Sequence, residues 1–128
     1  MIPEDLKYME SHEWIKAETD GTVKIGITFY AQEQLGDVVF IQQPETGSQV
    51  KQGDPCATIE SVKSASDIHA PVSGVVSATN QELATRPELV NRDPYGAWMF
   101  RIKPSNPEEF NALLDSTDYR KFVESGTQ

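Results

Sequence analysis

The sequence predicts a mostly β fold, a barrel-sandwich hybrid with short helices and a C-terminal helical segment at about residues 105–125. Short apolar–polar runs separated by glycine and proline turns are typical of sandwiches and barrels. Helix-capping signals concentrate near the end of the chain. Glycine turns at Gly53 and Gly74 lie on either side of Lys63, which indicates a weak internal symmetry with that lysine farthest from the turns. The length predicts one domain spanning residues 1–128.

The first third of the chain predicts a hairpin, a helix and a strand. Residues 12–28 alternate apolar and polar on either side of Asp20-Gly21, a strong hairpin signal. The segment FYAQEQLGD that follows carries helix formers and predicts one or two helical turns ended by a left-handed glycine cap at Gly36. VVFIQQ then predicts a strand closed by the turn PETG.

The middle of the chain is dense in short β segments. CATIESV, SDIHAPV and VVSAT predict three strands, and the first two are joined by a tip at Lys63–Ser66. Residues 80–96 have little periodicity and predict a surface connection with one helical turn at about 81–84. AWMFRI, residues 97–102, predicts a further strand.

The C-terminal segment predicts two short helices that cover the β structure. Ser105 or Asn106 can cap a helix whose first position is Pro107. An i, i+3, i+4 stripe follows, made of Phe110, Leu113 and Leu114. A second helix is predicted over residues 117–124.

Charge and cysteine content narrow the class of protein. With 20 acidic and 11 basic residues and a net charge of −9, binding to nucleic acid or to an anionic membrane is not expected. The first residues lack signal-peptide and transit-peptide character, which predicts a cytoplasmic, bacterial-type chain. Cys56 is the only cysteine, which excludes an internal disulfide, and its apolar neighbours predict that it is a small buried apolar residue. We expect a monomer.

Lys63 is the one cation of the stretch ESVKSASD. Its neighbours at positions 61 and 64–66 are small, and Glu60 and Asp67 provide an acidic surrounding. A modifying enzyme needs such open, charge-marked access. On local chemistry alone, a purely solubilising surface lysine is the commoner interpretation.

Longer motifs favour the modified lysine. LKYMESHEW, GIT, AQEQLGDVVF, GDPCATIESVKSASDIHAPVSG and LVNRDPYG occur in that order over most of the chain. In these stretches the sequence resembles the H protein of the glycine cleavage system, in the lipoyl/biotinyl-attachment superfamily. The resemblance implies that Lys63 carries lipoate in amide linkage. It also implies that Glu60 and Gly74 match positions recognised by the lipoylating enzymes.

The same resemblance implies a non-catalytic carrier. It takes the aminomethyl group of glycine from glycine decarboxylase (P protein) to aminomethyltransferase (T protein) and is reoxidised by dihydrolipoamide dehydrogenase (L protein). A lipoyl-lysine arm spans roughly 14 Å, from ~10–12 bonds of about 1.25 Å each. Ser11, Glu13 and Asp67 are the candidates, by resemblance and by chemistry, for a cleft that holds the loaded arm.

Two departures from the family pattern leave Lys63 itself unchanged. Phe29 and Tyr30 stand where the family usually has an acidic residue and often a histidine. Ala97 directly precedes Trp98, which makes the loop after PYG one residue short.

Several alternatives stay open at this level. Within the carrier class they are a biotinyl or acyltransferase-type lipoyl domain, and an H-like lipoyl carrier or lipoate relay of another pathway. Outside it they are an enzyme with Lys63 as Schiff-base nucleophile and an interaction module with an unmodified lysine. The two histidines, His12 and His69, are too few for a zinc site and predict half-exposed strand residues, so no metal is expected. A Cys56–His69 nucleophile pair has no supporting signature.

Overall fold

The structure is a computed structural model that describes residues 2–126. Nine antiparallel strands occur in this range: β1 (Lys7–Tyr8), β2 (Glu13–Ala17), β3 (Val23–Ile27), β4 (Val38–Gln42), β5 (Gln49–Val50), β6 (Pro55–Ser61), β7 (Ala65–His69), β8 (Gly74–Thr79) and β9 (Phe100–Pro104). Five helices accompany them: α1 (Phe29–Leu35), α2 (Glu82–Thr85), α3 (Leu89–Arg92), α4 (Glu108–Asn111) and α5 (Ser116–Glu124).

The strands form two sheets with the core between them. One sheet has the order β1-β2-β3-β9-β8-β5 and the other the order β4-β6-β7. The buried cluster that joins the sheets includes Ile15, Ile25, Ile59, Ile68 and Ile102. The mostly β prediction with short helices is confirmed. Over residues 2–126 the strands do not close into one barrel.

The predicted hairpin and first helix are confirmed. Strands β2 and β3 pair from Glu13↔Ile27 to Ala17↔Val23 and leave a turn in which Gly21 has φ 89°. Thr28 caps α1 by accepting a hydrogen bond from the Ala31 N–H. Gly36 ends α1 with φ 76° and ψ −151°, a backbone region essentially restricted to glycine. This ψ lies outside the left-handed helical well because the chain turns at once into β4.

Three predicted boundaries are wrong for tertiary reasons. The strand predicted at residues 97–102 begins only at Phe100, although Ala97 and Met99 are buried, because both pack into the core from irregular backbone. The connection predicted at 80–96 contains a second helix, α3. Helix α4 ends at Asn111, so the apolar stripe is not helical throughout. Leu114 instead exchanges backbone hydrogen bonds of 2.8 and 2.9 Å with Tyr8.

Helix α5 packs the C-terminal segment on the edge of the larger sheet. Asp115 caps it by accepting a hydrogen bond from the Asp118 N–H at 2.8 Å. Tyr119 is fully buried and stacks on Tyr8 with ring centroids 4.6 Å apart. Together with Leu6 and Trp14 these residues form a second buried cluster. The packing of the predicted C-terminal helix on the β structure is confirmed.

Candidate cofactor-attachment site

Lys63 lies at the exposed tip of the β6–β7 hairpin. The ladder ends at Glu60↔Ala65. Beyond it the Ser61 N–H donates to the Ser64 carbonyl at 2.7 Å, and the Ser64 N–H donates to Ser61 Oγ at 3.1 Å. These bonds fix the turn from within, so the residues between the two serines project into solvent on a rigid mount.

The loop of residues 36–38 supports the stem of Lys63. A Cβ placed on Gly36 would lie 3.3 Å from Lys63 Cε and 3.8 Å from its Nζ, so the lysine side chain runs directly over this glycine. The Val62 N–H donates to the Asp37 carbonyl at 3.0 Å. The aliphatic part of the Lys63 side chain therefore packs on this loop, while its ammonium group remains accessible.

Asn91 of α3 holds the 36–38 loop in place. Its Nδ2 donates to the Gly36 carbonyl at 2.7 Å and to Gln32 Oε1 at 3.0 Å. Its Oδ1 accepts from the Val38 N–H at 2.8 Å. One side chain thus joins the end of α1 to the start of β4 under Lys63. The motif LVNRDPYG contains this residue, but its partners lie more than 50 residues away, and sequence reasoning gave it no role.

Replacing Asn91 by alanine is expected to lower the free energy of unfolding by about 2 kcal/mol, because the Gly36 carbonyl and the Val38 N–H lose their partner. Urea denaturation of Asn91→Ala measures the loss. Arg92→Ala, at an exposed neighbour, should stay within roughly 0.5 kcal/mol of the parent. Equal stabilities of the two variants would contradict the role given to Asn91.

A groove of about 330 Å³ lies beside the tip. The end of β3, helix α1, the turn before β2, the hairpin tip and β7 line it, through Ser11, His12, Ile27, Ala31, Gln34, Leu35, Ser64, Ala65, Ser66 and Ile68. Its volume is in the range of small-ligand sites. Apolar walls from Ile27, Leu35 and Ile68, with hydroxyl groups at the rim, suit an alkyl chain with a polar end.

Ser11 and Glu13 are brought together at one side of the groove. The Ser11 hydroxyl lines the groove and donates to Glu13 Oε1. Glu13 is fully buried, and its Oε2 accepts from the His69 N–H at 2.6 Å and lies 3.1 Å from His69 Nδ1. Burial raises the pKa of Glu13, and the hydrogen bonds from Ser11 and His69 oppose that shift. Glu13 therefore ties β2 to β7 and stands behind Ser11, outside the groove lining.

Asp67 and Glu60 lie away from the groove, on the outer face of the smaller sheet. Along β7, Ala65, Ser66 and Ile68 line the groove, whereas Asp67 lines a separate hollow of about 200 Å³ with Gln42 and Thr58. Glu60 is exposed and pairs with Phe40 on β4. The structure thus separates Asp67 from Ser11 and Glu13 but places it on the same hairpin as Lys63.

Gly74 lies at the end of the molecule opposite to Lys63. It pairs with Val50 and Pro104 in the larger sheet. A Cβ placed on Gly74 would lie 2.1 Å from the Lys103 carbonyl oxygen, so β8 can approach β9 this closely only without a side chain. The close approach of the two backbones therefore requires glycine at position 74.

The two departures from the family pattern pack against other parts of the chain. The Phe29 N–H donates to the Tyr95 hydroxyl at 3.1 Å, and the Tyr30 ring lies 4.7 Å from the His12 ring. Tyr30 does not line the groove; it lines a small cavity beside Tyr119. In the short loop, the Ala97 N–H donates to the Asp93 carbonyl at 2.9 Å.

His12 connects the groove to α5. It has φ 75° in the turn before β2, so its assignment to a strand is wrong, whereas His69 does lie in β7. His12 Nδ1 is 2.7 Å from the Tyr119 hydroxyl, and that hydroxyl is also 2.8 Å from Thr28 Oγ1. Burial lowers the pKa of His12.

This shift predicts an acid-sensitive fold. The unfolded chain takes up the His12 proton near pH 6.5, before the folded chain does, so the free energy of unfolding should decrease as the pH falls below 6.5. His12→Asn keeps a side chain that tolerates positive φ but does not titrate. Urea denaturation between about pH 5 and pH 8 should show the stability of the parent falling relative to this variant on acidification. Parallel pH profiles would contradict the prediction.

The rival nucleophiles are poorly placed. Lys63 is exposed, unlike a desolvated Schiff-base lysine. Burial raises the pKa of the Cys56 thiol to about 12, so the thiol stays protonated at neutral pH. Its Sγ lies 3.6 Å from the Ile68 carbonyl, as expected for a packed strand residue.

A lysine at the exposed tip of a hydrogen-bonded hairpin, on two packed β-sheets with a groove beside it, is the arrangement expected of a carrier domain of the swinging-arm class. The sequence model described as the glycine cleavage H-protein matches residues 6–126. The chain therefore belongs to the glycine cleavage H-protein family, the lipoyl carriers of the glycine cleavage system.

Individual relatives are similar in sequence to this chain over almost its whole length. A glycine cleavage system H protein of Nitrosospira multiformis is 56% identical over 124 residues, which cover 97% of this chain and 96% of the relative. One of Ralstonia nicotianae is 58% identical over 118 residues, covering 92% and 93%. The crystal structure of a glycine cleavage system H protein from Mycobacterium marinum matches with a TM-score of 0.88 and 38% identity, covering 96% of this chain and 99% of that one. Among residues 2–126 no helix combines the length and apolar character of a membrane span.

Proposed function

We propose that this chain is a non-catalytic, cytoplasmic carrier whose Lys63 bears lipoate in amide linkage. It takes the aminomethyl group of glycine from glycine decarboxylase to aminomethyltransferase, and dihydrolipoamide dehydrogenase then reoxidises it. One observation carries the proposal: in a member of the H-protein family, Lys63 stands exposed on a hydrogen-bonded tip with its stem over Gly36 and a groove beside it.

The residues around the tip fit a lipoyl group. Small neighbours leave Nζ open to acylation, and the walls formed by Ile27, Leu35 and Ile68 would contact an alkyl chain. When bound, the lipoyl group supplies reversible dithiol–disulfide chemistry and a sulfur that carries the one-carbon unit. The chain supplies the mount and a groove wall that excludes water from one side of the carried group.

Ser11 and Glu13 are proposed to hold the amine end of the carried group. Because the Ser11 hydroxyl donates to Glu13, the lone pairs of Ser11 Oγ remain free to accept from an ammonium group in the groove. The Glu13 carboxylate stands directly behind and adds negative charge. Asp67 faces the outer hollow, so we propose that it acts through the acidic surroundings of the tip.

Glu60 and Gly74 serve lipoylation in different ways in this proposal. Glu60 is exposed three residues before Lys63 and can contact the lipoylating enzyme directly. Gly74 is buried at the other end of the molecule, so its contribution passes through the packing of β8 on β9.

Reconstitution with the three enzymes of the system tests the proposal. The lipoylated chain should support glycine-dependent methylene transfer to tetrahydrofolate, and unlipoylated chain from lipoate-starved cells should support none. A lipoylated chain that stays inactive but passes its lipoyl group to another acceptor protein would identify a lipoate relay instead. Activity that is equal with and without the lipoyl group would overturn the proposal.

A further inference from the structure

Two exposed apolar side chains, Phe40 and Val62, lie at or beside the tip. In the part of the chain that the structure describes, five large apolar side chains are exposed: Phe29, Val39, Phe40, Val62 and Val75. Phe40 is 50% exposed and Val62 76% exposed. Phe40 lies opposite Glu60 on the outer face of the smaller sheet, and Glu60 lies opposite Ala65. We call Phe40, Glu60 and Val62 the tip patch.

The position of the tip patch indicates which enzyme comes close to it. A lysine side chain reaches only roughly 6 Å from its backbone, by about five bonds of ~1.25 Å. Directly opposed strand residues such as Phe40 and Glu60 have Cβ atoms about 5 Å apart. Val62 directly precedes Lys63, and Phe40 lies opposite Glu60, which is three residues before Lys63, so an enzyme that reaches Lys63 Nζ comes close to the tip patch. Enzymes that act on the sulfurs, roughly 14 Å out on the arm, need not.

The charges of the same face indicate the chemistry of the partner. Strands β4, β6 and β7 contain no lysine or arginine, whereas Glu60 and Asp67 are exposed on them and Asp37 is exposed just before β4. An apolar patch with an acidic border fits an apolar surface with a basic border.

We infer that the tip patch is the docking face for the enzyme that attaches the lipoyl group, and that this enzyme presents an apolar surface bordered by lysine or arginine. The inference rests on the proposed lipoylation of Lys63. In that reaction the neutral amine of Lys63 forms a C–N bond to the carbonyl carbon of an activated lipoyl donor. The bond from that carbon to the activating group breaks, and the amine proton leaves with the activating group. Docking through Phe40 and Val62 holds Nζ at the donor.

Serine variants of the apolar members test the docking face. Phe40→Ser and Val62→Ser remove exposed side chains, and Val75→Ser removes a valine of β8 that is 37% exposed and far from Lys63. Lipoylation by a lipoate–protein ligase is followed by intact mass at varied carrier concentration. We expect Phe40→Ser to lower kcat/KM about ten-fold, mainly through KM, and Val75→Ser to stay within about two-fold. Phe40→Leu should restore most of the loss.

A second measurement separates docking from general damage. The same variants, lipoylated to completion by long incubation, are assayed with dihydrolipoamide dehydrogenase and should match the parent rate. Thermal unfolding confirms that each variant is folded. Slower reduction in proportion to slower lipoylation would overturn the inference, because the patch would then serve the other enzymes. A concentration-dependent dimer of the parent that Phe40→Ser abolishes would also overturn it, with a second copy as the occupant.

The failure of this inference can be told apart from failure of the proposed function. If the parent chain accepts lipoate on Lys63 and Phe40→Ser and Val62→Ser accept it equally fast, only the docking face is wrong. If the parent chain accepts none under conditions that lipoylate a control carrier, both the proposed function and the docking face are wrong.

Discussion

Lys63→Arg is expected to abolish carrier activity while leaving the fold intact. Lys63 is exposed and no salt bridge is found for it among residues 2–126, so an arginine should cost less than roughly 0.5 kcal/mol of stability. Arginine keeps the positive charge, but its guanidinium stays protonated and does not form the amide. Reconstituted glycine cleavage with this variant should fall to the rate measured without any carrier.

Lys51→Arg is the matched control for this experiment, because Lys51 is also exposed but precedes β6 at the far end of the hairpin. It should be lipoylated and should transfer at the parent rate. Residual transfer by Lys63→Arg above the background, or a lipoyl increment on that variant, would contradict the role of Lys63.

Gly74→Ala is expected to lower the free energy of unfolding by about 3 kcal/mol or more, a larger loss than that of Asn91→Ala. Its Cβ would lie 2.1 Å from the Lys103 carbonyl oxygen and 2.8 Å from Ile102 Cγ2. A backbone oxygen cannot move aside as a flexible side chain can, so β8 and β9 must separate locally. Urea denaturation measures the loss as a lower midpoint at unchanged slope.

Gly53→Ala provides the comparison, because Gly53 has φ 91° but no atom within 4 Å of an added Cβ. It should cost only the backbone strain, roughly 1–2 kcal/mol. If Gly74→Ala were as stable as Gly53→Ala yet resisted lipoylation, Gly74 would act by direct contact with the lipoylating enzyme and not through packing.

Local patterns were sufficient to predict much of the fold. Alternation of apolar and polar residues on either side of Asp20-Gly21 located β2 and β3, and short β-forming runs between turn signals located β6, β7 and β8. The same signal failed at residues 97–99, where Ala97 and Met99 are buried without belonging to a strand. It also missed α3, because four residues are too few to show helical periodicity.

The candidate site was predictable at its centre and less so at its edges. The small residues around Lys63 marked the tip, and the family motifs led to Ser11 and Glu13, which the structure does bring together. Asn91 and His12 were missed as parts of the site because their roles depend on contacts with residues distant in sequence. Asp67 was placed with Ser11 from sequence, but the two-residue period of β7 turns it to the other face.

Peptide-level mass spectrometry of the chain, isolated from cells with an active lipoylation pathway, tests the central claim most directly. The intact protein should carry the mass of one lipoyl group, and fragmentation should place that mass on Lys63. An unmodified Lys63 in protein from cells that lipoylate a control carrier, or a lipoyl group on any other lysine, would contradict the account.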